Sequence, residues 1–418
     1  MGQEDSTTRP SSKWRQYRPP HRRRNHEQAH AEEDSVAAPI PDHHLIPGNE
    51  PDIVDSNAGV AALIEELTAV GRFAYDSEFI GEFSYFPKIC VVQVATATRV
   101  TLIDALADVD LAPFWGLVAD ARVEKIVHAG LADLEPVARH LGLPPANVFD
   151  TQIAAAFAGM SYPCSLGRLV EALCEVELPQ GLKFSQWDHR PLSPAQIRYA
   201  ANDVRFLPRV RDAVAERVEA AGNAEWCREE LETLCDMAQY QLESGAQRIR
   251  MRGLETLRPR QEAILRQLAA WREKVAQEED SPPRALLKDE ILVFLARRPV
   301  KSVDQLGRVR GMPRPIRRHY GEAIVEATKA GLEQPVKRRR RRRIEPDREL
   351  IEALWEDLGQ RCADRAIDPA VVSSKKEMVS LVGAVQSDLP HDESRLARGW
   401  RRHLVDPVLE TVVKAKSA

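Results

Sequence analysis

Two acidic residues stand two positions apart in residues 73–79, in the order Asp76-Ser77-Glu78. The flanking residues are mostly aromatic and predict a β-strand, in which residues two apart share one face of a sheet. Two carboxylates on one face repel each other unless a proton or a cation lies between them. Hard divalent cations such as Mg²⁺ prefer such oxygen ligands. The pair therefore indicates either a metal site or a solvated strand face.

Two further acidic positions make the metal site the stronger interpretation. Asp133 follows a short predicted strand and begins a predicted helix, where an acid is also common because the helix dipole favours it. Tyr199 and Asp203 lie four residues apart on another predicted helix and so project from one face. A tyrosine at the edge of the core and a surface Asp would give the same spacing. Each of these non-catalytic explanations is plausible for one position. All of them must be correct at once if the chain has no metal site.

The elements that would position these groups predict an α/β domain with a mixed sheet over residues 46–222. Gly81 and Pro87 lie between the first two predicted strands, which favours antiparallel neighbours. Ser193 and Pro194 predict the cap and first residue of a long helix. The predicted strands cover residues 72–79, 88–95, 99–103 and 125–128. The predicted helices cover residues 55–70, 131–140, a segment from 150, 166–176 and 193–220.

The whole-chain composition excludes some classes of protein. The 418 residues carry 59 Lys and Arg against 63 Asp and Glu, a net charge of −4, and 43% are hydrophobic, which is enough for sizeable cores. No apolar run reaches the roughly 18–20 residues of a membrane span, and the N-terminus does not resemble a secretory signal. The six cysteines form no CxxC pair, so the sequence predicts a cytoplasmic protein without disulfides or a zinc knuckle. They are Cys90, Cys164, Cys174, Cys227, Cys235 and Cys362.

Outside this domain the sequence predicts a basic, disordered leader and mostly helical segments. The leader covers residues 1–45, a helical connector 223–257, a helical module 258–333, and an Arg-rich linker 334–344. Residues 345–418 loosely repeat the preceding module. The linker contains seven adjacent cations. They attract the phosphates of a nucleic acid or form a passive solvated segment, and we favour nucleic-acid contact. They are Lys337, Arg338, Arg339, Arg340, Arg341, Arg342 and Arg343.

The order DxE, D, YxxxD resembles the tyrosine-containing branch of the DEDD 3′–5′ exonucleases. Three further motifs narrow the resemblance to the ribonuclease D family: His128-Ala129-Gly130, Asp150-Thr151-Gln152, and SQWDHRPL at residues 185–192. Together they cover residues 70–210. Ser77 is a small departure, because many relatives have Thr between the two acids. Residues 258–332 resemble the helicase-and-RNase-D C-terminal (HRDC) domain, with Gly307, Gly311 and His319-Tyr320-Gly321 near its closing helix.

The resemblance implies a ribonuclease H-like mixed-sheet exonuclease domain followed by two all-α, HRDC-type helical bundles, the second divergent. It implies two-metal hydrolysis with Mg²⁺ or Mn²⁺ that releases nucleoside 5′-monophosphates from a free 3′ end. Asp76 would bridge the cations, Glu78 and Asp203 would complete one site, Asp133 would hold the other, and Tyr199 would orient the attacking water. The expected substrate is structured RNA, most plausibly tRNA precursors, gripped by the helical modules of a monomer without membrane attachment.

Most of the other candidate residues have two interpretations each. Phe79 and Trp187 could stack on bases or pack in the core, and Tyr85 in the loop after the first strand could line the substrate channel. His128 fits a supporting role beside the site better than metal ligation. Asp150 fits a helix N-cap better than a fifth catalytic acid.

Two alternative functions stay open. The chain could be a DNA 3′–5′ exonuclease of the kind related to Werner helicase, although the paired C-terminal modules disfavour this. It could also be a non-catalytic nucleic-acid-binding scaffold. A pure binder has no need for clustered carboxylates near phosphates, so the retention of all four acids and Tyr199 favours an enzyme.

Overall fold

The computed structural model describes residues 40–81, 84–179, 186–240, 257–335, 345–392 and 394–417. They fall into two units. One comprises Ala38–Ile80, Lys88–Glu243 and Pro335–Ala418 and contains the sheet, and the other includes Gly81–Pro87 and Ser244–Gln334. Most of the predicted leader, and the cations at 337–343, lie outside the described residues. Within those ranges, every helix is too short or too polar to cross a lipid bilayer.

A six-stranded mixed sheet forms the centre of the first unit, with the strand order β1-β4-β3-β2-β5-β6. The β2–β3 and β3–β4 pairs are antiparallel, and the β1–β4, β2–β5 and β5–β6 pairs are parallel. The predicted mixed sheet and the antiparallel β2–β3 pair are therefore confirmed. The strands are β1 (Asp52–Val54), β2 (Arg72–Ile80), β3 (Lys88–Ala95), β4 (Val100–Asp104), β5 (Glu124–Val127) and β6 (Val148–Asp150).

Alternation along the strands gives the sheet two different faces. Phe73 and Tyr75 of β2 share a core with Val92 and Val94 of β3, and this core includes residues of α1 (Asn57–Val70), α2 (Ala112–Val118) and α3 (Leu131–Leu141). Ala74 of β2 packs on the opposite face, in a core with residues of the later helices. Asp76 and Glu78 continue the series from Ala74, so β2 carries them on this second face.

The predicted long helix over residues 193–220 is two helices, α6 (Pro194–Arg205) and α7 (Leu207–Ala220). Ser193 caps α6 in a capping box with Gln196, as the Ser-Pro signal predicts. Phe206 separates the two helices, and Pro208 lies in the first turn of α7. Because proline lacks an N–H and its ring collides with the carbonyl four residues earlier, Pro208 explains the break.

Three more helices belong to this unit: α4 (Thr151–Ala156), α5 (Leu166–Cys174) and α8 (Ala224–Glu232), the last of which lies in the predicted connector. The sequence did not predict β1, β6 or α2, and β6 has only three residues. Strand β1 has only three residues, two of them exposed, so its sequence shows no buried alternation. Helix α2 begins with Ala112-Pro113 and has seven residues, too few for a clear helical period.

The second unit is helical and has its own core. Its helices are α9 (Pro259–Glu278), α10 (Pro283–Leu286), α11 (Asp289–Arg297), α12 (Val303–Leu306) and α13 (Arg314–Glu333). Arg272 on α9 pairs with Asp289 on α11 at 2.7 Å, and both side chains are buried. Tyr85 belongs to this unit: its hydroxyl donates to Glu273 and accepts from Gln277 at 3.0 Å.

The C-terminal helices belong to the sheet-containing unit and share its largest core. Trp400 packs edge-on against Phe157, with the ring centroids 4.9 Å apart. The Asn223 side chain donates to the carbonyls of Phe157 and Arg365, at 2.9 and 2.7 Å, and so joins two parts of the chain. These helices are α14 (Arg348–Ala363), α15 (Pro369–Val372), α16 (Lys375–Gln386) and α17 (Arg402–Ser417).

Candidate active site

Strand β2 presents Asp76 and Glu78 on the face that α6 covers. The Asp76 carboxylate accepts a hydrogen bond from its neighbour's backbone, Ser77 N to Oδ1, at 2.9 Å. The pairing with β3 shifts between Glu78 and Phe79, so the strand is irregular just beyond the second acid. Bulges of this kind re-aim side chains and are common beside functional sites. The DxE pair thus lies immediately before an irregularity in the β2–β3 ladder.

Asp133 is brought to the same region by a tight connection from β5 to α3. The Asp150 carboxylate accepts from Ala129 N at 3.1 Å and from Gly130 N at 3.0 Å, which fixes the turn before the helix. A Cβ on Gly130 would stand 2.5 Å from Cβ of Val127, so only glycine fits here without movement. Asp133 follows in the first turn of α3 and is buried.

Ser77 links the DxE strand to this helix. Its hydroxyl donates to Asp133 Oδ1 at 2.5 Å, and both residues are 7% exposed. The sequence identifies Ser77 only as a departure from the Thr of the family motif, and it does not predict the hydrogen bond to Asp133. A signal for it exists: residue 77 faces away from its two acidic neighbours by strand alternation, toward the face on which α3 packs.

Helix α6 supplies Tyr199 and Asp203 on one face, as their spacing predicts. The Tyr199 phenol forms a hydrogen bond with the Asp203 carboxyl. This bond lowers the pKa of Asp203, against the larger effect of burial, which raises it. Tyr199 also packs against Trp187, with the ring centroids 6.1 Å apart. Because Trp187 is 5% exposed and shares a core with strand residues, the structure favours the interior role for it over base stacking.

Arg190 fixes the segment that carries Trp187. Its guanidinium pairs with both oxygens of Asp104, at 2.7 and 2.6 Å, and donates to the carbonyls of Cys90 and Trp187, each at 2.8 Å. The hydrogen bond from Arg190 lowers the pKa of Asp104. These contacts tie the SQWDHRPL motif to β3 and β4 beneath the tyrosine.

The four carboxyl groups influence one another strongly. Burial, reinforced by the charges of Asp133 and Asp203, raises the pKa of Asp76 well above its ordinary value. Burial, followed by the same two charges, raises the pKa of Glu78 to about 8. Burial raises the pKa of Asp203 to about 7 and also raises that of Asp133, against the hydrogen bond from Ser77. Ionising all four together therefore requires positive charge between them.

The donor set consists only of carboxylate oxygens and a phenol, which fits hard divalent cations such as Mg²⁺ or Mn²⁺. Among the residues that the structure describes, no three His, Cys, Asp or Glu side chains already form a ligand cage around one point. The four acids nevertheless lie close enough for their charges to affect one another's pKa values.

The remaining candidates have different surroundings. Asp150 caps α4 by accepting from Gln152 N and Ile153 N, so the predicted N-cap is confirmed. His128 Nδ1 lies 2.9 Å from Thr151 Oγ1, and burial lowers its pKa, which suits a neutral supporting histidine. Phe79 is half-buried at the bulge. Tyr85 lies in the helical unit, where it contacts α9.

Comparisons with known proteins agree with this geometry. Residues 51–219 match a family model described as a 3′–5′ exonuclease, and residues 261–328 match the HRDC domain. The chain is 34% identical to ribonuclease D of Gluconacetobacter diazotrophicus over 84% of this chain and 90% of that protein. Ribonuclease D of Acidiphilium cryptum is 33% identical, over 85% and 91% respectively.

A solved structure of Escherichia coli RNase D is similar in fold. It superposes with a TM-score of 0.76 at 24% identity, covering 88% of this chain and 99% of that one. The likeness includes the mixed sheet and the helical regions that follow it.

Proposed function

The chain belongs to the ribonuclease D family of 3′–5′ exoribonucleases, and from this premise we propose that Asp76, Glu78, Asp133, Asp203 and Tyr199 form its active site. The observation that carries the proposal is the convergence of acids from β2, α3 and α6 on one region, where Ser77 of β2 bonds Asp133 of α3 and where burial, followed by the neighbouring charges, raises the carboxyl pKa values. Such a cluster is costly for a fold and is useful where cations must be held against phosphate.

Two divalent cations, Mg²⁺ or Mn²⁺, are the cofactors that this donor set fits. Asp76 would be shared between them, Glu78 and Asp203 would complete one site, and Asp133 would contribute to the other. When bound, the pair would supply an activated water and stabilise the leaving 3′-oxygen of the cleaved nucleotide. Ser77 would hold Asp133 in place, because its hydroxyl donates a hydrogen bond to the Asp133 carboxylate.

Tyr199 would position the attacking water through its phenolic O–H. Burial, with the nearby charge of Asp203, raises the pKa of Tyr199, so the phenol stays protonated at neutral pH. A protonated phenol can donate a hydrogen bond that orients the water, and it does not act as a base. The contact with Trp187 limits its rotation.

Structured RNA with a free 3′ end, and tRNA precursors in particular, is the substrate that we propose. We further propose that the protein works as a monomer in the cytoplasm. The free cysteines among the described residues fit a reducing compartment.

The test is digestion of one RNA sequence labelled at its 5′ or 3′ end, with Mg²⁺, Mn²⁺ or a chelator. We expect stepwise loss of mononucleotides from the 3′ end with either cation, and none with the chelator. Asp76→Asn should lower the rate by at least about 10³-fold, because it removes the shared ligand. Glu171→Gln, an exposed acid on α5, is the matched control and should retain wild-type activity.

RNA binding is measured in parallel by anisotropy, so that lost chemistry is separated from lost folding. A matched DNA oligonucleotide tests the alternative substrate class. Internal cuts, release from the 5′ end, or equal rates on DNA and RNA would each contradict the proposal. A precursor tRNA should be shortened to a discrete 3′ end, whereas uniform degradation would remove tRNA precursors as the preferred substrate.

A further inference from the structure

Gln93 is a polar residue inside an otherwise apolar stretch of β3, residues 89–95. Its side chain is fully buried. Neither amide atom, Nε2 or Oε1, has a hydrogen-bond partner among the described residues. Buried amide groups are normally paired, so this exception calls for a physical reason.

The position of Gln93 relates it to the acidic cluster. In the β2–β3 ladder Gln93 is directly opposite Asp76, and such pairs place side chains on one face with Cβ atoms about 4.5–5.5 Å apart. The residues two before and two after it, Val91 and Ala95, pack in cores that contain Ala200 and Ala201 of α6. Gln93 therefore lies beneath the helix that carries Tyr199 and Asp203, on the same face of the sheet as Asp76.

Folding alone does not account for an amide here. A Met or Leu would fill the same apolar space without a buried donor and acceptor, and replacing unpaired polar groups by apolar ones is neutral or favourable for stability. Strand β2 itself supplies the Asp76 carboxyl with a hydrogen bond at Oδ1, from Ser77 N. An ionised carboxylate accepts several more, and an amide N–H opposite it is a suitable donor.

We propose that Gln93 is a positioning residue of the cation-loaded site, where its amide N–H donates to the Asp76 carboxylate and holds it in the orientation that two cations share. This inference rests on the proposed metal-dependent function. Carboxylates that bind metal ions are commonly oriented by hydrogen bonds from neighbouring groups. The partner of the unpaired amide is thus the carboxylate directly opposite it on β2.

The test measures cation binding without RNA, by calorimetry and by the Mn²⁺-dependent rise of the melting temperature. In Gln93→Met we expect the melting temperature in chelator to equal or exceed that of the wild type. The Mn²⁺ concentration at half-saturation should rise about tenfold, the usual effect of losing one hydrogen bond to a charged group. With RNA, the rate should fall more at limiting than at saturating Mg²⁺.

Thr101→Val is the matched control, because Thr101 is buried on β4 and points to the opposite face by alternation. It should leave the Mn²⁺ midpoint unchanged. Gln93→Leu repeats the test with a second side chain. Two results would overturn the inference. One is a Mn²⁺ midpoint for Gln93→Met that lies within twofold of the wild-type value. The other is a lower melting temperature of Gln93→Met in chelator while its Mn²⁺ midpoint is unchanged. Absence of Mn²⁺ binding by the wild type would instead refute the proposed function.

Discussion

At the residue scale, the carboxyl cluster makes the metal-free protein sensitive to pH. A carboxyl whose pKa is raised in the folded state holds its proton there while the unfolded chain has already lost it. The folded state then binds more protons between the ordinary pKa near 4 and the raised one, so the free energy of unfolding falls as pH rises across that range. For Asp203 and Glu78 the range ends near pH 7 and pH 8.

We therefore expect the melting temperature in chelator to be highest near pH 5 and to fall by about 5 °C or more by pH 8.5. Saturating Mn²⁺ should remove most of this fall, because the cations supply the missing positive charge. Asp203→Asn should flatten the chelator profile, since one titrating group is gone. Melting curves across pH measure this, and stability that rises between pH 5 and 8 would contradict the coupling.

Ser77 leads to a second prediction at this scale. Ser77→Ala removes the hydroxyl that donates to Asp133, so the carboxylate loses its orientation and the rate of RNA cleavage should fall about tenfold. Ser77→Thr keeps a hydroxyl at the same position and should retain activity within about twofold of the wild type. Single-turnover rates at saturating Mg²⁺ compare them. Equal rates for the Ala and Thr variants would show that the contact does not matter.

At the scale of elements, the turn between β5 and α3 determines where Asp133 stands. Gly130→Ala would place a Cβ against Val127, and relieving that overlap must move the start of α3. We expect a loss of about 1–3 kcal/mol in the free energy of unfolding, as for other overpacked sites. Displacing the acid should slow cleavage by about 10- to 100-fold.

Gly116→Ala is the matched control, because Gly116 is exposed on α2 and a Cβ added there would meet no other atom within 4 Å. It should raise the free energy of unfolding by about 0.5–1 kcal/mol, since alanine favours the helix, and leave cleavage unchanged. Denaturant unfolding and cleavage rates are measured for both variants. Wild-type cleavage in Gly130→Ala would mean that the turn does not position Asp133.

The elements that the sequence predicts well are those whose signals are local. Ser193-Pro194 predicts the start of α6, and the apolar run of β3 and the turn residues before it predict the β2–β3 pair; the structure confirms both. The three-residue β1 is missed because its pairing with β4 is a long-range contact, without a periodic pattern of its own. The contact between Ser77 and Asp133 joins residues 56 positions apart and depends on the packing of α3.

At the scale of the whole molecule, the C-terminal region is joined to the exonuclease domain by a common core. Leu354, Leu358 and Val405 are buried in the same cluster as Phe157 and Val214. From sequence, residues 345–418 are expected to form a separate HRDC-like module that grips RNA. A separable module predicts that deleting 337–418 weakens binding of long structured RNA while a short oligomer is still cleaved.

The shared core predicts a different result. Deleting residues 345–418 would expose a large apolar surface on α4, α7 and α8, so we expect the melting temperature to drop by at least about 10 °C, with loss of activity on short and long RNA alike. Purification, melting curves and cleavage of both substrates measure this. A well-folded truncation that cleaves the short oligomer normally would instead establish the separable module.

Because truncation is a drastic change, a point variant tests the same connection more finely. Arg401 pairs with Glu230 of α8 at 2.6 Å, with side chains 7% and 13% exposed, and also donates to the carbonyls of Val371 and Val372. Glu230→Gln removes one partner of this buried pair and should cost about 3–5 kcal/mol of unfolding free energy. Denaturant unfolding measures the loss.

The exposed pair of Lys375 and Glu352, 2.5 Å apart within the C-terminal region, is the control. Lys375→Ala should cost less than about 1 kcal/mol, because solvent screens exposed pairs. Equal, small losses in the two variants would mean that the Glu230–Arg401 contact does not hold the region against α8. A large loss only in Glu230→Gln, with the exonuclease domain unfolding in the same transition, would make the C-terminal helices part of the catalytic fold.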